Sequence, residues 1–125
     1  PAGLCILDTE LRYAAINEML ARGNGRSVQD HIGRTMEEVA PHIAAAVTPV
    51  LRQVIETGKP VTDFEVTATV DGEERTRLCN LYPVRDTAGA VVAVSASVID
   101  ITARRRAEES QRLLSREVDH RAQNA

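Results

Sequence analysis

Between Thr62 and Val70 polar and apolar side chains alternate without a break, with Phe64, Val66, Ala68 and Val70 on one face and Asp63, Glu65, Thr67 and Thr69 on the other. A period of two is satisfied by an extended strand with one face on a core and the other in water. The run ends on Asp71-Gly72, a dipeptide suited to a tight hairpin turn, and a second strand is expected from Arg75 to Val84. The loop Asp86-Thr87-Ala88-Gly89 leads to a third, from Val91 to Ile99, in which Val92, Val94, Ala96 and Val98 share a face opposite Ser95 and Ser97. Strands joined by turns this short pair antiparallel. The chain is therefore committed to a meander whose apolar face something else must cover.

The residues before it supply the cover. Gly3 to Asp8 and Leu11 to Ile16 are short apolar runs joined tightly, and they predict a hairpin. Glu18 to Arg22 can form a single helical turn, stopped by Gly23-Asn24-Gly25. Ser27 is placed to cap a short helix over Val28 to Ile32, and Thr35 with Glu38 forms a capping-box pattern before Val39. Pro41 then opens a longer helix in which Ile43, Val47, Val50, Leu51, Val54 and Ile55 recur at spacings of three and four. Pro49 within it predicts a kink or a break, and Gly58 a stop. The fold class that follows is α+β, with short helices on one face of an antiparallel sheet.

A chain of 125 residues suffices for one core. With 43% apolar residues but no Trp, one Phe and two Tyr, that core must be aliphatic. The formal net charge is −3 and the basic residues gather only at Arg104, Arg105 and Arg106, which argues against nucleic acid as a partner. Cys5 and Cys79 lack the spacing and the His companions of a metal site, so no metal is expected, and two cysteines make no disulfide framework. Reduced thiols in a cytoplasmic protein are the expectation. No apolar run reaches the roughly 18 residues that span a bilayer, and the N-terminus lacks the form of a signal peptide.

The stretch Leu81-Tyr82-Pro83-Val84-Arg85-Asp86 with Gly89 after it, and the triplet Asp100-Ile101-Thr102, resemble a PAS domain over residues 1–102. The resemblance implies a sensory domain with a five-stranded antiparallel sheet. The second strand lies at one edge, the first beside it, the fifth in the middle and the fourth and third beyond, with helices enclosing a cavity against one face. A small organic ligand would there meet Cys79, Leu81, Val94, Ala96 and Val98. Arg77 shares a strand face with Cys79 and Leu81, so it either meets an anion inside or lies exposed near the strand's start. Photoactive flavin relatives carry a Cys in an Asn-Cys-Arg-Phe-Leu pattern in the helical region, and this chain has none there. Haem-binding relatives use a helical His, for which His31 or His42 would stand; His42 right after Pro41 reads as a surface residue, so haem is not expected.

Asp100, Ile101 and Thr102 would also relay a signal. Thr102 is a good N-cap, and Asp100 can bond nearby backbone or a basic side chain. From Thr102 to Asn124 there is no Gly or Pro, which predicts one helix roughly 34 Å long. Residues 103–125 are read as a signalling, coiled-coil helix with a weak seam of Ala103, Ala107, Ser110, Leu114, Val118 and Arg121. Such a seam needs a partner helix, hence a homodimer. Glu108 and Arg112 are spaced for an i,i+4 pair. The run Glu117-Val118-Asp119-His120-Arg121-Ala122-Gln123-Asn124 resembles the histidine box of HWE-type sensor histidine kinases, with Gln123 where that family carries a basic residue.

The resemblance makes His120 the phosphoacceptor, supported by Asp119, Glu117, Arg121 and Asn124. Imidazole titrates near pH ~6.5 when unperturbed, so a neutral nucleophile is available near neutrality. His120 lies roughly 115° around the helix from the seam, accessible while the seam pairs. ATP and Mg²⁺ would bind a separate ATP-binding domain, and a response regulator would receive the phosphoryl group. The segment by itself is then no enzyme, although its parent is. The rival expectation is a non-catalytic dimerisation or ligand-binding module whose helix docks another output domain.

Overall fold

The structure, a computed structural model that describes residues 2–124 and their side chains as far as Ala122, begins with the expected hairpin of β1 (Gly3–Asp8) and β2 (Tyr13–Ile16). Asp8 ties its turn, with Oδ1 accepting from the amides of Glu10 and Arg12. The second strand starts at Tyr13 rather than Leu11 because buried Leu11 has a left-handed φ of 64°, which no strand accommodates. Helix α1 (Glu18–Gly23) is capped by Asn17, whose Oδ1 accepts from the amides of both Leu20 and Leu4. One side chain thus fastens α1 to β1. The two elements meet at Gly3, where a Cβ would stand 2.9 Å from that of Leu20.

The helix expected over residues 28–32 is absent. Ser27 Oγ does accept from the amide of Asp30, but the segment is a turn rather than a helix. The chain at its end is recruited by β2 instead: Ile32 bridges to Tyr13, the amide of Gly33 donates to Tyr13 and that of Tyr13 to Arg34. A five-residue helix offers too few internal bonds to compete with an edge that needs partners. The capping box of Thr35 and Glu38 is present in both directions at α2 (Met36–Val39).

Helix α3 (Pro41–Thr57) runs without a break through Pro49. Pro49 and Ala45, whose carbonyl loses its helical donor there, both lie on the exposed face, where water can replace the bond. Gly58 ends the helix with φ 67°. The meander follows as β3 (Val61–Val70), β4 (Glu73–Arg85) and β5 (Val91–Asp100). Asp71 and Gly72 both take positive φ between the first two of these strands. Strand β4 begins two residues earlier than expected, since Glu73 and Glu74 pair with β3 while carrying no apolar signal. A bulge interrupts β3 at Asp63, whose φ is 56° and whose amide donates to Asn80 Oδ1.

All five strands form one antiparallel sheet in the order β2-β1-β5-β4-β3, as the resemblance implied. Leu7, Leu81 and Val94 of the sheet and Leu51 and Val54 of α3 are fully buried between the layers. The core is aliphatic. Helix α4 (Thr102–Asn124) leaves β5 after Ile101 alone. Among the described residues no helix is long and apolar enough to cross a membrane.

Candidate functional site

A cavity of about 40 Å³ lies between the inner face of the sheet and the helices, room for two or three waters. Of the expected pocket residues, Arg77, Cys79, Leu81, Ala96 and Val98 line it. Val94 does not. It is wholly buried and spent on core packing at a position the cavity does not reach. The opposite wall comes from Leu20, Met36, Ile43, Val47 and Leu51, and one end from Tyr13 and Asn24.

That end is polar, and its bonds run one way. Half-buried Arg77 donates from Nη2 to the carbonyl of Gly23 at 3.0 Å and from Nη1 to Asn24 Oδ1 at 3.2 Å. A guanidinium only donates, so Asn24 must present its oxygen to Arg77 and its amide nitrogen to His31 Nε2, 3.1 Å away. Nε2 is therefore the acceptor, and the ring proton sits on Nδ1, which donates to the carbonyl of Ser27 at 2.7 Å. The geometry fixes His31, fully buried, as the neutral Nδ1–H tautomer with both nitrogens engaged. Tyr13 packs edge-on against it at 5.1 Å. Burial pushes the Tyr13 hydroxyl above its ordinary range, and neighbouring Cys5 adds to this against the opposing pull of Arg77 and of a hydrogen bond with Asn24.

Burial also pushes the Cys5 thiol up to about 12, with Cys79 adding to it, and raises Cys79 in the same way. Both are free thiols. Strand β5 lies between them, Cys5 standing opposite Ala96 and Cys79 opposite Val98. Two strand spacings are about 9.6 Å, beyond the ~7 Å that a disulfide tolerates between Cα atoms. Among the described residues no three His, Cys, Asp or Glu side chains cluster as a metal site.

The root of α4 is held from β4. Arg75 donates from Nε and Nη2 to Asp100 Oδ2 at 2.9 and 2.7 Å, while Asp100 Oδ1 accepts from the amide of Thr102 at 2.9 Å. Burial raises the Asp100 carboxyl, but these bonds to Thr102 and Arg75 outweigh it and hold the group below its ordinary value. The cap is not the one expected. Thr102 is already the first helical residue, and its hydroxyl turns back to β4, accepting from the amide of Thr76 at 2.9 Å and donating to its carbonyl at 3.4 Å. That carbonyl also accepts from the amide of Ile101 at 2.9 Å. Arg105 pairs with Glu65, and Arg106 with Glu73 at 3.2 Å.

Residues 1–106 match the family described as PAS fold. The chain belongs to that family. VqmA of Vibrio cholerae, whose dimer was solved in the absence of target DNA and described among LuxR-type receptors, is 25% identical with a TM-score of 0.74. The match covers 82% of this chain and 47% of that one, so the chain spans less than half the length of VqmA. The PAS domain of BvgS from Bordetella pertussis is 21% identical with a TM-score of 0.73, over 94% of this chain and 89% of that one. A sensory box sensor histidine kinase from Vibrio cholerae is 14% identical with a TM-score of 0.67, over 82% and 83% of the two chains. No curated protein matches significantly.

Beyond the PAS body, every described side chain of α4 from Ala103 onward is exposed, Leu113 at 55% and Leu114 and Val118 at 63%. Glu108 pairs with Arg104 and Arg105 rather than with Arg112, which turns to Glu109. Two neighbouring arginines on the preceding turn compete successfully for one carboxylate. Within the histidine box Arg121 donates to Glu117 at 2.7 Å, and Asp119 and His120 stand on the exposed surface. The side chain of Asn124 lies outside the described residues.

Tyr13, Asn24 and His31 are the residues that sequence reasoning missed as a group. They come from β2, the turn after α1 and the turn before α2, and meet Arg77 of β4 only through the tertiary fold. Within the sequence Asn24 reads as a helix breaker and His31 only as a haem-ligand candidate, with nothing to join either of them to Arg77. The only local signal was that Tyr13 belongs to an inward-facing strand position, where a hydroxyl needs a partner.

Proposed function

We propose that this PAS domain is the sensory part of a cytoplasmic two-component sensor histidine kinase of the HWE type, with His120 as phosphoacceptor. The reading is carried by one observation: β5 passes through a single buried residue into an exposed helix that bears the box from Glu117 to Asn124. A change in the PAS core reaches α4 through Asp100, Ile101 and Thr102. Two copies pair along the seam, since a helix this exposed gains its stability from a partner. His120 then attacks the γ-phosphorus of ATP held with Mg²⁺ by a separate ATP-binding domain, the bond to the β-phosphate oxygen breaks and ADP leaves, and a response-regulator aspartate takes the phosphoryl group and frees His120. Glu117 and Arg121, already paired, hold charge beside the acceptor, with Asp119 adjacent to orient the ring.

The likeness to VqmA favours a second reading, in which α4 docks a different output domain and His120 carries no phosphate. The full-length protein incubated with labelled ATP and Mg²⁺ separates the two. Acid-labile label that disappears in His120→Ala is expected; equal label on both proteins, or none on either, would establish the docking reading.

A further inference from the structure

We infer that the cavity takes a small aliphatic monocarboxylate, its head on Arg77 and its tail among Leu20, Met36 and Leu51, admitted through the cleft between α1 and β5. The inference rests on the sensory reading of the PAS domain. Its starting point is an inequality between two arginines of one strand. Arg75 is matched by Asp100 and Glu73, whereas Arg77 has no carboxylate within ion-pair distance among the described residues. Its partners are two neutral oxygens, those of Gly23 and Asn24, on a group that carries five donors. A partly desolvated guanidinium with donors to spare gains most from an anionic oxygen.

The rest of the lining specifies the remainder of the ligand. Beyond Arg77, Asn24 and the Tyr13 hydroxyl the wall is aliphatic or thiol, and both thiols are held protonated by burial, so nothing there competes for the cation. Sugars and other polyols would leave most of their hydroxyls unpaired against this wall. A second carboxylate would find no second cation, and an ammonium head would face Arg77 directly. About 40 Å³ is short of the room for four carbons, so binding requires side chains to give way. Met36 on the wall is suited to this, being unbranched with three rotatable bonds.

The route follows from residues shared between two spaces. Leu20, Arg77 and Val98 line both the cavity and an outer cleft that reaches Gly3, Ile99 and Asp100. The two spaces thus share these three side chains, and the cleft presents to an arriving anion both Arg77 and, opposite it on β5, Asp100, whose carboxylate is already bound to Arg75. Drawing Arg77 toward the anion releases Gly23 and Asn24, which loosens α1. The neighbouring residues Arg75 and Thr76 are those that hold Asp100 and Thr102 at the root of α4.

The test is an NMR titration of the protein with butyrate, 1-butanol and butylammonium. Butyrate is expected to give saturable shifts at Arg77 Nε–H, Cys79 and Leu81 with roughly tenfold higher affinity than butanol, and butylammonium none. Arg77→Met should reduce butyrate to the affinity of butanol. Asn24→Asp, which keeps the arginine but gives it an internal carboxylate, should do the same, with spectral dispersion reporting the fold of each variant. Butyrate binding no tighter than butanol, a preference that survives both substitutions, or no saturable shift at the cavity from any probe would overturn the inference. The kinase reading is judged separately by label on His120: a flat titration beside intact labelling removes the ligand and leaves the kinase.

Discussion

Leu51 in α3 has no exposed surface and Leu114 in α4 has 63%, although both stand on the apolar seams of uninterrupted helices. The sheet lies under the first seam and water over the second. In the PAS body α1 is fastened to β1 through Asn17, α2 is closed by its own capping box of Thr35 and Glu38, and α3, which has no side-chain N-cap, is held by burial. In α4 the ion pairs that reach the sheet come from Arg105 and Arg106, and over the roughly five turns beyond them the ion pairs among the described residues run along the helix, each worth a few tenths of a kcal/mol. A fold can thus be complete in one region and conditional in the next, and the conditional region is where regulation has purchase.

The sharpest way to break that comparison is to delete the same side chain from both seams. Leu51→Ala should destabilise the body by about 2–5 kcal/mol in chemical denaturation, since Leu51 has no exposed surface and its loss enlarges the internal cavity it lines. Leu114→Ala should leave the body within about 0.5 kcal/mol of the parent. It should instead weaken the dependence of helical circular dichroism on protein concentration. If Leu114→Ala destabilised the dilute monomer as Leu51→Ala does, α4 would be packed against the body and the contrast would fail.

The two regions also differed in how far the sequence disclosed them. Alternation from Thr62 to Val70 and the spacing from Ile43 to Ile55 reported the inward faces, with Val66 and Val47, Leu51 and Val54 buried and Phe64, Ala68 and Val70 half-buried beside them. Residues 28–32 misled because a capping serine speaks only of local bonds, and the bonds that hold the end of this segment run from Tyr13, across the chain, to Gly33 and Arg34. Thr102 misled for the same reason: its hydroxyl had a choice between its own helix and Thr76, 26 residues away, and took the distant one. The cavity was half legible. Strand β4 announced Arg77, Cys79 and Leu81 by alternation, but Asn24 and His31 are separated from Arg77 by 53 and 46 residues in sequence, and no periodicity spans that.

Between body and helix, the junction sharpens the contrast further. Thr102→Val keeps the shape of the side chain and removes the hydroxyl, leaving the half-buried amide of Thr76 without its acceptor at a cost of about 0.5–1.5 kcal/mol. The expected result is local. Hydrogen exchange should quicken through the first turn of α4 and the end of β5, while exchange in α3 stays as it was. Acceleration spread evenly over the domain would mean that the root of α4 is part of the core rather than a joint attached to it.

Acid provides the gentlest probe of the same joint. The folded Asp100 carboxyl lies below its ordinary value of 3.8, so its bonds to Arg75 and Thr102 contribute fully above that pH and are lost as the pH falls through the lower folded value. Glu73, held down by Arg106 and Arg75, shifts in the same direction and so reinforces the trend. The side chain of Asp100 is 38% exposed, so solvent screens the pair and the effect is small. Between neutral pH and about pH 5 the Thr102 amide should stay protected from exchange; below pH 3.8 that protection should decline. In Asp100→Asn it should be weaker throughout and show less of this acid dependence. A parent protein with flat protection through the acid range would show that the Thr76–Thr102 bonds alone secure the helix, and that the carboxylate is dispensable to the joint.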